Sequence, residues 1–264
     1  MATTSDERDW WQPEVYAKHF SFVPNFSGTI HALLKPYLAS ESELLDLGCG
    51  EGRLTVLFQS QCRRVVGVDN SPAMVEAARA AGCNDVRVGD GTDLDAAGIP
   101  ANAFDVVFSN YALHWMKRDP AAVVRQVKRC LKPGGVFVAE FGAHMNFSLL
   151  RMALQSVLNA HGYSGQLHAL WYLPTASDYK AVLENAGMEI EHLEWSSCPT
   201  VLPTDIRGVL DSLFPPFVEC VSDPKERDAI FNEVVAMVKP LAYDNQGRWT
   251  VDIYCLRVVA KKPL

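Results

Sequence analysis

Four residues with carboxylate or amide side chains, Asp46, Asp69, Asp90 and Asn110, recur at intervals of about 20 residues, each at or near the end of a short apolar run. The first run, Leu44-Leu45-Asp46-Leu47, drives into Gly48-Cys49-Gly50-Glu51-Gly52. The next, Val65-Val66-Gly67-Val68, ends in Asp69, 21 residues after Gly48. Glycines between a strand and a helix permit a tight turn and let a ligand approach the backbone. An acid ending the following strand can accept hydrogen bonds from ribose hydroxyls. The chemistry indicated is nucleotide or nucleoside binding. A dinucleotide site also needs a small residue three places after Gly50 to pack helix on sheet, and that place holds Arg53. Asp and Asn also cap helices and make turns, but four on one rim exceed what capping alone would place there.

The elements that must position these residues alternate along the chain. Candidate strands are 44–48, 65–69, 85–89, 104–109 and 135–141, with helices near 52–60, 72–81 and 120–131 between them. Ser71-Pro72 and Asp119-Pro120 open helices, and Lys132-Pro133-Gly134-Gly135 breaks one. Such alternation predicts a parallel sheet whose strand ends share one edge, where ligands bind. A helix near 176–186, a strand near 188–196 and a last strand at 249–260 follow, the last expected to run antiparallel. Segments 142–174 and 197–248 are too long for plain connections, and the first carries helical periodicity at Leu149, Leu150, Ala153, Leu154, Val157 and Leu158.

The pattern Asp46-x-Gly48-x-Gly50-x-Gly52 resembles motif I of the class I S-adenosylmethionine-dependent methyltransferases. The resemblance implies an α/β, Rossmann-like doubly wound seven-stranded sheet, mostly parallel with an antiparallel last strand, plus a helical cap. It implies one methyltransferase domain over 1–264, with a core at about 40–141, 175–196 and 249–260 and a cap from 1–30, 142–174 and 197–248. The implied cofactor is S-adenosyl-L-methionine, whose cationic amino group and sulfonium suit an acid near its tail. Carried residue by residue, the resemblance makes Asp69 the ribose acid, and Gly89-Asp90-Gly91-Thr92 the segment that meets adenine. Phe104 to Asn110 runs beneath the methionine moiety. The cofactor set it implies is Asp46, Gly48, Cys49, Gly50, Asp69, Asn70, Met74, Asp90, Gly91, Thr92, Asn110 and Tyr111. Ser109-Asn110-Tyr111-Ala112-Leu113-His114-Trp115, with Trp11 and Tyr16 upstream, is similar to the trans-aconitate methyltransferase-like group, whose members esterify small carboxylic acids.

Methyl transfer from a sulfonium is an in-line displacement in which alignment supplies much of the rate. A carboxylate acceptor needs no base, whereas a hydroxyl, carbon acid or ammonium must lose a proton. His114, just past the fourth strand, is the candidate catalytic residue, either as that base or as pocket wall. Tyr16, Phe22, His114, Trp115, His144 and Trp171 are the candidate acceptor-binding residues, and Arg207 and Arg248 could pair with an acidic acceptor. The aromatic N-terminus, from Trp10 and Trp11 through Phe20 and Phe26, could close over the cofactor or simply pack on the core.

Bulk properties narrow the partners. The chain has 264 residues and a formal charge of −7, so no basic footprint suggests nucleic acid. The seven cysteines include no C-x-x-C pair, which reads as reduced thiols in a cytoplasmic setting and gives no metal site. No apolar run reaches membrane-spanning length, and the acidic, polar start does not resemble a targeting peptide. The expected activity is methyl transfer to a small-molecule carboxylate or a natural-product oxygen, nitrogen or carbon. Two alternatives are a cofactor-binding protein without transfer activity and a nicotinamide-dependent oxidoreductase.

Overall fold

A computed structural model describes residue 9 and residues 11–14, 23–163 and 170–264, with side chains in the first helix described from residue 28. Tyr16, Phe22, Trp10, Phe20 and the Phe26 side chain lie outside the described residues. Strands β1 (Glu43–Leu47), β2 (Arg64–Asp69), β3 (Val86–Val88), β4 (Phe104–Asn110), β5 (Leu131–Gly142), β6 (Glu189–Ser197) and β9 (Tyr254–Lys261) form one sheet. Its order is β3-β2-β1-β4-β5-β9-β6, and a separate pair joins β7 (Thr200–Val201) to β8 (Thr250–Val251). The first five strands are parallel, and β9 runs antiparallel to both its neighbours. The expected mixed sheet with an antiparallel last strand is what the chain forms.

The described helices are α1 (Val23–Leu34), α2 (Arg53–Gln59), α3 (Pro72–Ala80), α4 (Pro120–Cys130), α5 (Ser148–Ala160), α6 (Ala176–Asn185), α7 (Ile206–Leu213) and α8 (Pro224–Ala242). Helix α3 starts where Ser71 Oγ accepts from Met74 N–H at 3.1 Å, and α4 where Asp119 accepts from Ala122 N–H at 2.8 Å. Each cap satisfies an amide that the helix itself leaves unpaired.

Strand alternation sorts the core into two faces. Leu44, Val106, Phe108, Val136 and Val138 lie beneath Ile30 and Leu34 of α1 and Phe58 of α2. Leu45, Leu47, Val107, Phe137 and Ala139 lie beneath Val123, Val124 and Val127 of α4 and Tyr179 and Leu183 of α6. A one-residue slip would exchange these sets, so burial fixes the register.

Two boundaries differ from the sequence reading. Strand β5 starts at Leu131, which pairs with Phe104, and the Pro-Gly-Gly segment forms an irregularity before Val136 joins Val106. Gly134 N–H donates to Lys262 O and Lys262 N–H to Gly135 O, both at 2.9 Å, so the breaker is absorbed into the sheet rather than left as a loop. The last strand divides because Asp252 leaves the ladder to cap α5. Its carboxylate accepts from the Ser148 hydroxyl, and from Leu149 N–H at 3.0 Å.

A second apolar core lies outside the sheet. Leu150, Leu154 and Val157 of α5, Val209 and Leu210 of α7 and Ile230 and Val234 of α8 pack together with Phe214 and Phe217. The apolar period at 149–158 therefore does form a helix whose stripe is buried, in this second core. Among the described residues no helix is long and apolar enough to cross a membrane.

Candidate active site

At the carboxyl ends of the parallel strands lies a cleft of about 220 Å³. Its floor is the turn after β1. Gly48, Gly50 and Gly52 all adopt left-handed φ, at +77°, +54° and +83°. At Gly48 a Cβ would stand 2.1 Å from that of Ala112, whereas at Gly50 nothing among the described residues lies within 4 Å. Gly48 is thus required by packing, and Gly50 leaves room over the backbone on the cleft side. Gly48 and Cys49 tie the turn to β2 by donating to Val68 O at 2.7 and 3.1 Å.

Asp69 ends β2 at the rim. One carboxylate oxygen accepts from Gly50 N–H at 2.9 Å and the other from Ser71 N–H at 3.0 Å. Burial pushes this carboxyl above its ordinary range, opposed by those backbone donors. Each oxygen keeps further lone-pair capacity for a ligand. Asn70, Met74, Gly91 and Thr92 line the cleft beside it. Asp90 accepts from Thr92 N–H and Oγ1–H, both at 2.8 Å, and pairs with Arg118. Asn110 and Tyr111 close the opposite end; Tyr111 holds φ +52° and donates its N–H to Glu140 O at 2.7 Å. The Asn110 Oδ1 atom is buried without a hydrogen-bond partner among the described residues.

Ten of the twelve expected cofactor residues, with Trp115, therefore share one cleft, and Asp46 and Cys49 are absent from its lining. Asp46 lies on the other side of β1 from Leu45 and Leu47, beneath α2. There Thr55 Oγ1 donates to it at 2.6 Å. Burial raises its carboxyl to about 7, with Thr55 opposing and Asp69 adding to the rise. Its place is structural, behind the turn. The Cys49 sulfur faces Gly67, and burial pushes the thiol well up, which suppresses thiolate chemistry.

Of the described residues expected to bind the acceptor, Trp115 lines the cleft, and His114, His144 and Trp171 do not. His114 lies in a short 3-10 turn, Leu113–Trp115, and is 6% exposed. Its Nδ1 accepts from Gly142 N–H at 3.3 Å, and burial lowers its pKa to about 3. Burial thus disfavours the imidazolium that this ring would become as a general base. The ring forms wall behind Trp115, at 5.6 Å between ring centroids. Trp171 belongs to the second core, 5.4 Å from Trp115 and 4.8 Å from Phe217. His144 is exposed outside the cleft; its N–H donates to Pro174 O at 3.0 Å and its carbonyl accepts from Trp195 Nε1 at 3.1 Å. Arg207 is held by Asp211, Asp228 and Asn232, and Arg248 by Asp244, so both are engaged on the helical layer.

The cleft also takes residues that sequence reasoning left out of the site. Met116, Lys117 and Arg118 follow the 3-10 turn and line it. Met116 reaches both glycine segments, its sulfur 2.7 Å from where a Gly91 Cβ would stand. Trp11, which belongs to the N-terminal segment expected to close over the cofactor or pack on the core, lines the cleft and meets Trp115 edge to face at 4.9 Å. Asp9, two residues before it, accepts from Ser71 Oγ at 2.7 Å and so anchors this N-terminal segment at the start of α3. The adjacency of Met116, Lys117 and Arg118 to His114-Trp115 was the available signal for them.

Known proteins place the chain among similar sequences and folds. A methyltransferase-domain model matches residues 45–139. An uncharacterized methyltransferase of Schizosaccharomyces pombe is 40% identical over 260 residues, covering 96% of this chain and 98% of that protein. The trans-aconitate 2-methyltransferase of Streptomyces coelicolor is 28% identical over 277 residues, covering 96% of this chain and 87% of its own length. In fold, the chain is similar to the S-adenosylmethionine-dependent methyltransferase of Mesorhizobium loti, with TM-score 0.54, 22% identity and coverage of 88% and 95% of the two chains. It is also similar to the YcgJ protein of Bacillus subtilis, with TM-score 0.60, 17% identity and coverage of 89% and 98%. With a full-length relative at 40% identity and the glycine turn, Asp69 and Asn110 gathered on one strand edge, the chain belongs to the methyltransferase family.

Proposed function

We propose that this methyltransferase uses S-adenosylmethionine to methylate a small-molecule acceptor by in-line displacement. The observation that carries the reading is the joint placement of Asp69 and Gly50. A half-buried carboxylate with spare acceptor capacity stands beside backbone that, among the described residues, has open space above it. When bound, the cofactor supplies an electrophilic methyl group. Asp69 holds the ribose hydroxyls, and Asp90 with Gly91 and Thr92 meets the adenine. Asn110, whose Oδ1 lacks a donor, faces the donor-rich amino-acid end. Trp11 and Trp115 exclude water from the transfer path.

The second core supports reading 142–174 and 197–248, with residues 1–30, as a cap over a single methyltransferase domain spanning 1–264. Relatives named for trans-aconitate and for malonyl-acyl-carrier protein support a small acceptor rather than nucleic acid. Seven unpaired thiols support a cytoplasmic setting. Titration calorimetry with S-adenosylhomocysteine tests the cofactor site. Incubation with methyl-tritiated S-adenosylmethionine and a small-molecule extract tests transfer. Binding without any labelled product would favour a cofactor-binding protein that does not methylate.

A further inference from the structure

Two thiols meet where the chain leaves β6. Cys198 follows the last residue of that strand, and its N–H donates to Ile253 O at 2.7 Å. Cys255 lies on β9, opposite Ser196 of β6 on one side and Gly142 of β5 on the other. The two Sγ atoms are 3.7 Å apart, with Cys198 half-buried and Cys255 fully buried. A disulfide holds its sulfurs at about 2.05 Å, so bonding needs them to approach by only about 1.7 Å.

The pair belongs to a closed ring of hydrogen bonds with two charged groups. Arg257 donates from Nη2 to Cys198 Sγ at 3.3 Å and from Nε to Glu140 Oε2 at 2.5 Å. Cys255 Sγ–H donates to the same Glu140 oxygen at 3.7 Å, which leaves Cys198 Sγ–H to donate to Cys255 Sγ. The half-buried sulfur therefore has a guanidinium beside it, the electropositive setting in which cysteines react. The buried sulfur has a carboxylate placed to receive its proton. Burial pushes the Cys255 thiol up, so this residue rests protonated until its sulfur bonds elsewhere. None of the four side chains lines the cleft, so the ring is separate from the site described above.

We propose that Cys198 and Cys255 are a peroxide-sensitive modification site, forming a reversible disulfide that ties the helical layer to the sheet. The oxidant is hydrogen peroxide. The Cys198 thiolate attacks one peroxide oxygen, the S–O bond forms and the O–O bond breaks. The departing hydroxide takes up the proton that Cys198 released and leaves as water. Cys255 sulfur then attacks the sulfenic sulfur, the S–S bond forms and the S–O bond breaks. The second hydroxide leaves as water with the Cys255 proton, passed through Glu140. Two electrons leave the thiols and two reduce the peroxide. Cys198 opens the 197–248 segment and packs at the edge of the second core, whereas Cys255 is held in the sheet between β5 and β6. The bond would close a loop between positions 57 apart, which restricts the unfolded chain and so favours the folded one. In a cytoplasmic setting such a bond is transient, formed under oxidation and reopened by thiol exchange.

The test uses the full chain carrying Cys220→Ser, which removes the exposed thiol, treated with hydrogen peroxide under native conditions and then alkylated. Intact mass should show the loss of two hydrogens, and peptide mapping should join Cys198 to Cys255. Dithiothreitol should restore both thiols. The oxidised protein should melt about 5–15 °C higher than the reduced one. Cys255→Ser should stop at a sulfenic acid on Cys198 that dimedone captures, and Cys198→Ser should give neither product. Mapping of the unsubstituted pair decides the matter even where a variant fails to fold. Thiols at 198 and 255 that stay free at a peroxide dose oxidising all glutathione in the same tube would overturn the proposal. So would a disulfide to any other cysteine, one formed only in denaturant, or a melting temperature that does not rise.

Discussion

Asp69→Ala removes the acid that ends β2, and its effect can be worked from the geometry. Gly50 and Ser71 N–H groups occupy one acceptor position on each carboxylate oxygen, at 2.9 and 3.0 Å. One position per oxygen then remains for the two ribose hydroxyls. Hydrogen bonds to a charged partner contribute about 1.5–3 kcal/mol each, so the pair accounts for roughly 3–6 kcal/mol. At about 1.4 kcal/mol per decade, S-adenosylhomocysteine should bind some 10²–10⁴-fold more weakly. The fold should lose far less. The two orphaned amides cost about 1 kcal/mol each, and removing a charge that burial already disfavours offsets part of that. The melting temperature should fall by only about 2–4 °C. Titration calorimetry with a parallel melt separates the two effects. A dissociation constant within threefold of wild type, in a folded variant, would remove Asp69 from the site and with it the strand-end argument.

Gly50→Ala should cost about 1–2 kcal/mol of stability for its left-handed backbone yet abolish detectable cofactor binding, because its Cβ enters open cleft. Gly48→Ala should instead impair folding itself, through the 2.1 Å approach to Ala112; circular dichroism melts and calorimetry distinguish the pair. Asp46 has a folded-state pKa raised to about 7, so its contribution favours the folded state at low pH and is lost as pH rises from about 4 through 7. Asp46→Asn should flatten that decline, seen as denaturant midpoints at pH 5.5 and 8 that differ less than in wild type. His114 is neutral down to about pH 3, so His114→Gln should leave any acidic limb near pH 6–7 in the rate profile unchanged. Disappearance of that limb would restore His114 as the base.

Where local chemistry fixes a residue's place, the sequence suffices. The glycine turn, Asp69 at a strand end and Ser71 before Pro72 each follow from turn, strand or cap preferences. Their positions in the structure agree to within a residue or so. Where a neighbour from elsewhere decides, it does not suffice. Asp46 carries the same motif signal as Asp69, yet strand parity turns it toward Thr55 of α2 and away from the cleft. His114 looked like pocket lining because it follows the fourth strand, and Trp171 because it lies in the long 142–174 segment. Which face becomes wall and which becomes core depends on how α5, α7 and α8 pack. Glu140 and Arg257 are 117 residues apart, and only the β5–β9 register brings them together.

The position of β9 has a consequence for how the chain acquires its structure. It lies between β5 and β6, so neither strand can complete its pairing there until residues 254–261 have been synthesised. At translation rates of about 5–20 residues per second, β5 waits several seconds with an open edge after emerging. During that interval Glu140 has no Arg257, and an apolar strand flank is available to other chains. The β1–β4 part of the sheet has no such dependence and can assemble early. Such a nascent chain should associate with chaperones chiefly after β5 is exposed, and ribosome-stalled chains ending before residue 254 should remain protease-sensitive from β5 onward.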